Sequence, residues 1–213
     1  MTAAQARASA RPSFIQRFNF VEIVVHWVTV GAFIVELGTG LAFSYPRLYW
    51  LTTLFGGGQT SREIHPWAGI AFSVGIVLMA ALWLRDMLPE RSDGAWFRGM
   101  KEYVTLSGKE ADVGRFNPGQ KLFYGIMFIA TAALFATGLF IWQVSWAGAD
   151  IRSWMRFFHS MAPVLALGMF LIHGYMGTAM YPGTFGGMLH GKVTRGWAMM
   201  HHSRWYRERY ARK

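Results

Sequence analysis

Residues 154–177 read WMRFFHSMAPVLALGMFLIHGYMG. An apolar run of this length fits a membrane-spanning helix, which needs about 20 residues to cross a hydrocarbon core about 30 Å thick. His159 and His173 lie within it, fourteen residues apart. That interval is close to four α-helical turns, so both imidazoles leave the same face, separated by roughly 21 Å of helix axis. Histidine inside a span is costly unless it has a partner or a function.

Three more apolar blocks precede this one, and the spans are expected at about 21–44, 65–86, 121–145 and 153–180. The first, VEIVVHWVTVGAFIVELGTGLAFS, follows a basic tail. The second is expected to start at His65-Pro66, with proline in the first turn, where its missing N–H costs nothing. Pro163 lies inside the fourth, where a kink is expected. The expected fold is all-α: an integral membrane four-helix bundle over 21–180, between basic tails over 1–20 and 181–213.

Composition supports this class. The chain has 213 residues, 53% of them hydrophobic, and its apolar residues fall in long blocks separated by charged ones. A net charge of +10 would suggest nucleic acid in a soluble protein. Here the basic residues cluster as the positive-inside rule requires, and no nucleic-acid partner is expected. Residues 1–20 carry no apolar core ahead of the first span, so no cleaved signal peptide is expected. With no cysteine, disulfides, thiolate-held iron–sulfur clusters in this chain and C-x-x-C-H haem attachment are excluded. No Walker loop, G-x-S-x-G elbow or H-E-x-x-H motif occurs.

Lys and Arg counts orient the spans. One side carries Arg7, Arg11 and Arg17, then Arg85, Arg91, Arg98, Lys101, Lys109, Arg115 and Lys121, then Lys192, Arg195, Arg204, Arg207, Arg209, Arg212 and Lys213. The other carries only Arg47, Arg62, Arg152 and Arg156. Both termini are therefore expected in the cytoplasm. Depth then pairs the histidines. His65 opens the second span on the outer side and matches His159; His26 opens the first on the inner side and matches His173.

Two depth-matched pairs fit bis-histidine ligation of two stacked haems, an electron path across the membrane. A transported metal ion is the rival, but such sites add midplane carboxylates, and Glu36 is the only acid well inside a span. Glu36 is expected to be paired or hydrogen-bonded within the bundle, with a proton-handling role as the alternative. Gly40, fourteen residues after His26, and Gly125 and Gly138 on the third span would admit a macrocycle to the backbone, or simply let helices pack closely. His190, His201 and His202 are expected to be solvated. The ending WYRERYARK suits a headgroup or partner contact. A purely structural anchor remains open as a different class.

The segments RFNFVEIVVHWVTVGAFIVELGTGL, HPWAG, RFNPGQKLFYG and RFFHS…LIHGYMGT resemble the gamma subunit of membrane-bound formate dehydrogenase. That subunit belongs to a wider di-haem cytochrome b family that also serves nickel–iron hydrogenases. The resemblance runs from about Arg17 to Trp197, and N-x-G-Q-K at Asn117–Lys121 points to the formate enzyme. It implies two haem b groups, the outer on His65 and His159 and the inner on His26 and His173. It also implies a quinone pocket (menaquinone or ubiquinone) at Asn117, Gly119, Gln120 and His173. The implied partners are an iron–sulfur beta subunit and a molybdenum or tungsten catalytic alpha subunit, in a bacterial inner membrane. The chain itself would do no substrate chemistry beyond passing electrons to quinone. A hydrogenase cytochrome b subunit and a stand-alone b561-type cytochrome are the alternatives. A quinone head needs donors for its carbonyl oxygens, while Asn117-Pro118-Gly119 is equally good chemistry for a turn that leads into a helix.

Overall fold

A computed structural model describes residues 13–105 and 111–211. The basic residues Arg7, Arg11, Lys109, Arg212 and Lys213 lie outside the described residues. Four helices are long and apolar enough to cross a membrane: α1 Phe20–Ser44, α2 Gly58–Met87, α5 Pro118–Trp142 and α6 Ala149–Tyr175, the last prolonged by a π turn to Met180. Short helices α3 Asp93–Arg98 and α4 Met100–Thr105 lie between α2 and α5. The C-terminal segment adds α7 Phe185–His190, strand β2 Lys192–Thr194, α8 Arg195–His201 and α9 Ser203–Tyr206. Strand β1, Phe14–Gln16, pairs antiparallel with β2.

The long helices are apolar on every side, and large side chains such as Ile129 and Val164 point outward, 71% and 62% exposed. A soluble helix keeps one face polar; an all-round apolar helix with an exposed surface is solvated by lipid. The chain is thus a multi-pass, predominantly helical membrane protein.

Two boundaries differ from the sequence reading. Helix α2 begins at Gly58, seven residues before His65, so Pro66 is interior rather than in the first turn. Hydropathy marks where apolar side chains begin, but the polar stretch GQTSREI is already helical. It follows Gly56 and Gly57, whose φ of 83° and 95° end the 3-10 stretch Pro46–Phe55. An interior proline leaves the carbonyl four residues back without its ladder partner, here that of Arg62. At the other end, α5 stops at Trp142 and α6 starts at Ala149, with a 3-10 turn Val144–Trp146 between them. Helix α6 runs on through Pro163.

The chain forms two compact units, residues 24–83 with 122–175, and the described residues of 1–23, 84–121 and 176–213. In the first, Phe33 packs against Phe72 and Phe170, Trp67 against Trp142, and Tyr124 donates to the Ile76 carbonyl, tying the four long helices together.

The second unit is built on a doubled motif. Arg17-Phe18-Asn19-x-x-Glu22 and Arg115-Phe116-Asn117-x-x-Gln120 precede α1 and α5. Each asparagine caps its helix: Asn19 Oδ1 accepts from Glu22 N at 3.0 Å, and Asn117 Oδ1 from Gln120 N at 2.9 Å. Each partner returns the bond, Asn19 N donating to Glu22 Oε2 at 2.7 Å and Asn117 N to Gln120 Oε1 at 2.9 Å. These are reciprocal capping boxes. The two arginines exchange bonds as well, each Nη2 donating to the other's carbonyl at 2.9 Å.

The C-terminal segment is folded, which corrects the expectation for His202. Its ring is 2% exposed, with Nδ1 2.8 Å from the Gly114 carbonyl and Nε2 3.1 Å from Arg17 Nη2. Since a carbonyl only accepts, Nδ1 carries the proton and Nε2 accepts from the guanidinium. Arg17 in turn lies over the rings of Trp197, Phe18 and Trp205. His201 contacts Tyr181 and Trp197, and of these three C-terminal histidines His190 alone is exposed. In the ending WYRERYARK, Tyr206 is buried with Ile15, Val193 and Trp197, and Trp205 packs against them.

Burial, and after it the neighbouring Arg17 cation, hold the His202 pKa well below its ordinary value. Unfolded, the ring takes a proton near pH 6.5. The neutral ring therefore costs nothing above that pH, and stability is lost as pH falls below it, by about 1.4 kcal/mol per pH unit until the folded ring titrates. In His202→Gln, hydrogen exchange of residues 195–206 should lose much of its steepening between pH 7 and pH 5. The same pH dependence in variant and parent would show that His202 is not the responsible group.

Candidate functional site

All four span histidines lie in the unit formed by 24–83 and 122–175. His65 on α2 faces His159 on α6, with ring centroids 6.3 Å apart. His26 on α1 faces His173 on α6, also at 6.3 Å. Metal–imidazole bonds are about 2 Å long. Two nitrogens on one metal are then roughly 4 Å apart, and their ring centroids roughly 6 Å. Both pairs have that separation. Among the described residues no group of three or more His, Asp or Glu side chains gathers to hold a metal ion. Each pair offers two imidazole ligands, which suits a metal whose other positions belong to a macrocycle.

Sequence reasoning missed the hydroxyls beside His65 and His159. Thr39 Oγ1 is 2.7 Å from His65 Nδ1, and Thr137 Oγ1 is 2.9 Å from His159 Nδ1. Beside each threonine is a glycine. A Cβ on Gly40 would fall 3.5 Å from His65 Cε1, and one on Gly138 would fall 3.2 Å from His159 Cε1. A Cβ would crowd the imidazole edge at Gly138 but make only ordinary contact at Gly40, and at Gly125 the corresponding space is open.

A cleft of about 700 Å³ opens between these helices and is lined by both histidines, Gly138, Glu36, Arg62 and Arg156. Its size falls within the range of about 300–1,000 Å³ usual for cofactor sites. Arg62 and Arg156 each precede their histidine by three residues, hence one turn away on the same helix face. Two imidazoles, apolar walls and two guanidiniums together suit a flat apolar ring bearing carboxylates. Glu36 rests over Gly69, where a Cβ would fall 2.5 Å from its Oε1. Against expectation, its carboxylate has no hydrogen-bond or ion-pair partner among the described residues.

The second pair is built from rings. Phe123 stacks on His173 at 4.4 Å, and Trp27 meets His26 edge-on at 5.3 Å. His26 Nδ1 is buried with no hydrogen-bond partner among the described residues.

The expected quinone residues Asn117, Gly119 and Gln120 belong to the other unit. Asn117 is 4% exposed and spends its Oδ1 on the helix cap and its Nδ2 on Tyr103 Oη at 3.1 Å. Gly119 lies under Trp96, whose Cη2 would be 2.9 Å from a Cβ there. Gln120 spends its oxygen on the cap, which leaves its Nε2 hydrogens as the loop's side-chain donors.

The family model described as prokaryotic cytochrome b561 matches residues 17–191. Over 205 residues the chain is 34% identical to the cytochrome b556(Fdn) subunit of the nitrate-inducible formate dehydrogenase of Escherichia coli K12, covering 93% of each chain. It is 32% identical over 201 residues to the cytochrome b556(fdo) subunit of formate dehydrogenase from the same strain, covering 93% of this chain and 94% of that one. It is 34% identical over 191 residues to the formate dehydrogenase cytochrome b556 subunit of Haemophilus influenzae, covering 87% and 79%.

Proposed function

The chain belongs to the prokaryotic cytochrome b561 family, and from that premise we propose its role. It is the membrane cytochrome b subunit of a formate dehydrogenase complex. It receives electrons from an iron–sulfur partner, whose own partner oxidises formate at molybdenum or tungsten, and passes them to a quinone on the cytoplasmic side. The observation that carries this reading is the pair of facing histidines, twice at 6.3 Å, on one transmembrane scaffold.

When bound, two b haems supply one-electron redox steps at two depths of the membrane. His65 and His159 would hold the outer group, and His26 and His173 the inner one. Arg62 and Arg156 would neutralise the outer group's carboxylates. The apolar helices around both pairs exclude water. On the cytoplasmic side Gln120 Nε2 would donate to a quinone carbonyl, with Asn117 and Gly119 fixing the loop that presents it. Basic residues concentrated beside the helix ends, Arg85, Arg115 and Lys121 among them, support a cytoplasmic side for that loop.

Formate added outside sealed vesicles carrying the whole complex should reduce both haems and generate a membrane potential, negative on the quinone side. Formate oxidation by an artificial acceptor, with the haems left oxidised, would defeat the reading. Gln120→Glu keeps the capping oxygen and removes the donor. It should leave formate-driven haem reduction intact while slowing haem oxidation by quinone at least tenfold, read by stopped-flow absorbance. An unchanged rate would return the loop to helix capping alone.

A further inference from the structure

Threonine has a single hydroxyl proton. In Thr39 it goes to the Val35 carbonyl, 2.6 Å away, and in Thr137 to the Ala133 carbonyl, 2.7 Å away. A carbonyl has no proton to give, so those contacts use the hydroxyl hydrogens. The contacts to His65 Nδ1 and His159 Nδ1 must then run the other way, each imidazole donating its Nδ1–H to a threonine oxygen. That fixes the tautomer of both rings and leaves both Nε2 lone pairs free for a metal. Thr39 is fully buried and Thr137 nearly so, at 9% exposure, so neither bond competes with water.

The arrangement is doubled. Thr39-Gly40-Leu41 on α1 recurs as Thr137-Gly138-Leu139 on α5, 98 residues later. The same interval separates the two R-F-N motifs. Arg62-x-x-His65 recurs as Arg156-x-x-His159. In each half, the threonine of the first helix seats the histidine of the second. The other histidine pair stands outside the repeat, since the residue 98 positions after His26 is Tyr124. Among the described residues neither the His26 nor the His173 ring has a hydrogen-bond acceptor.

We propose that Thr39 and Thr137 are positioning residues that lock both axial imidazoles of the His65–His159 haem and make it the lower-potential haem of the two. The inference rests on the two-haem reading above. An imidazole that gives its Nδ1–H to an acceptor is a more basic ligand and favours the ferric over the ferrous state. The His26–His173 haem, whose ligands lack that bond, is then the easier to reduce. Electrons entering at the first pair run downhill to the second, by an order written into this chain's own threonines.

The test is a spectroscopic redox titration of the whole complex carrying Thr39→Val, Thr137→Val, or serine at either position. The affected haem is identified as the one missing in His159→Ala. Each valine should move the midpoint of that haem in the positive direction, or loosen its binding, and leave the other haem unmoved. Serine, which keeps the hydroxyl, should restore the parent titration. Unmoved midpoints in both valine variants with two haems retained would overturn the proposal. So would a shift confined to the other haem, or serine behaving as valine. Fewer than two haems in the parent complex would instead overturn the two-haem reading itself.

Discussion

His159→Ala in the assembled complex is expected to remove one b haem and leave the second, and His26→Ala to remove the second and leave the first. Each histidine faces one partner, at 6.3 Å, and the two pairs are fourteen residues apart along α6. At roughly 1.5 Å per residue that is about 21 Å, too far for a ligand of one pair to substitute in the other. Haem content should fall from two per chain to one in either variant, and His65→Ala should match His159→Ala in which spectral component is lost. Loss of different components in those two variants, or full stoichiometry in any of them, would break the pairing.

Arg115→Met should cost several kcal/mol of stability. Arg115 is bound to Glu22 at 2.6 Å and to Asp86 at 2.9 Å, and it gives a third bond to the Arg17 carbonyl. Asp86 is 38% exposed, so that pair contributes little. Glu22 is different. Its side chain is 4% exposed, and the same carboxylate completes the cap of α1. Methionine keeps an apolar stem over Phe18 and Phe116 but removes the cation bonded to a buried carboxylate, a loss of about 3–5 kcal/mol. Glu22→Gln added to Arg115→Met should recover part of it. Thermal unfolding of the solubilised complex measures both, and a loss below about 1 kcal/mol in the single variant would contradict this account of the pair.

The fold class was legible because lipid demands a composition, and four blocks meet it. The histidine pairs were legible because 3.6 residues per turn makes a fourteen-residue interval a statement about facing. The start of α2 was not, because GQTSREI is polar and hydropathy is blind to backbone hydrogen bonding. The seats at Thr39 and Thr137 were not, because a threonine within a span reads as ordinary packing until its one proton is accounted for. A sequence signal did exist: T-G-L and R-F-N both recur at 98 residues, and that repeat would have aligned the two halves. His202 was misread because a basic tail looks solvated. Nothing in WYRERYARK announces that Arg17 lies across Trp197 and Trp205 with His202 against its edge.

The central claim is that this scaffold holds two b-type haems, each between two histidines. Haem extracted and quantified per chain, with a reduced-minus-oxidised spectrum of the purified complex, tests it most directly. Two haems per chain with two resolvable b-type components is the predicted result. One haem per chain, or none in a folded complex, would contradict it.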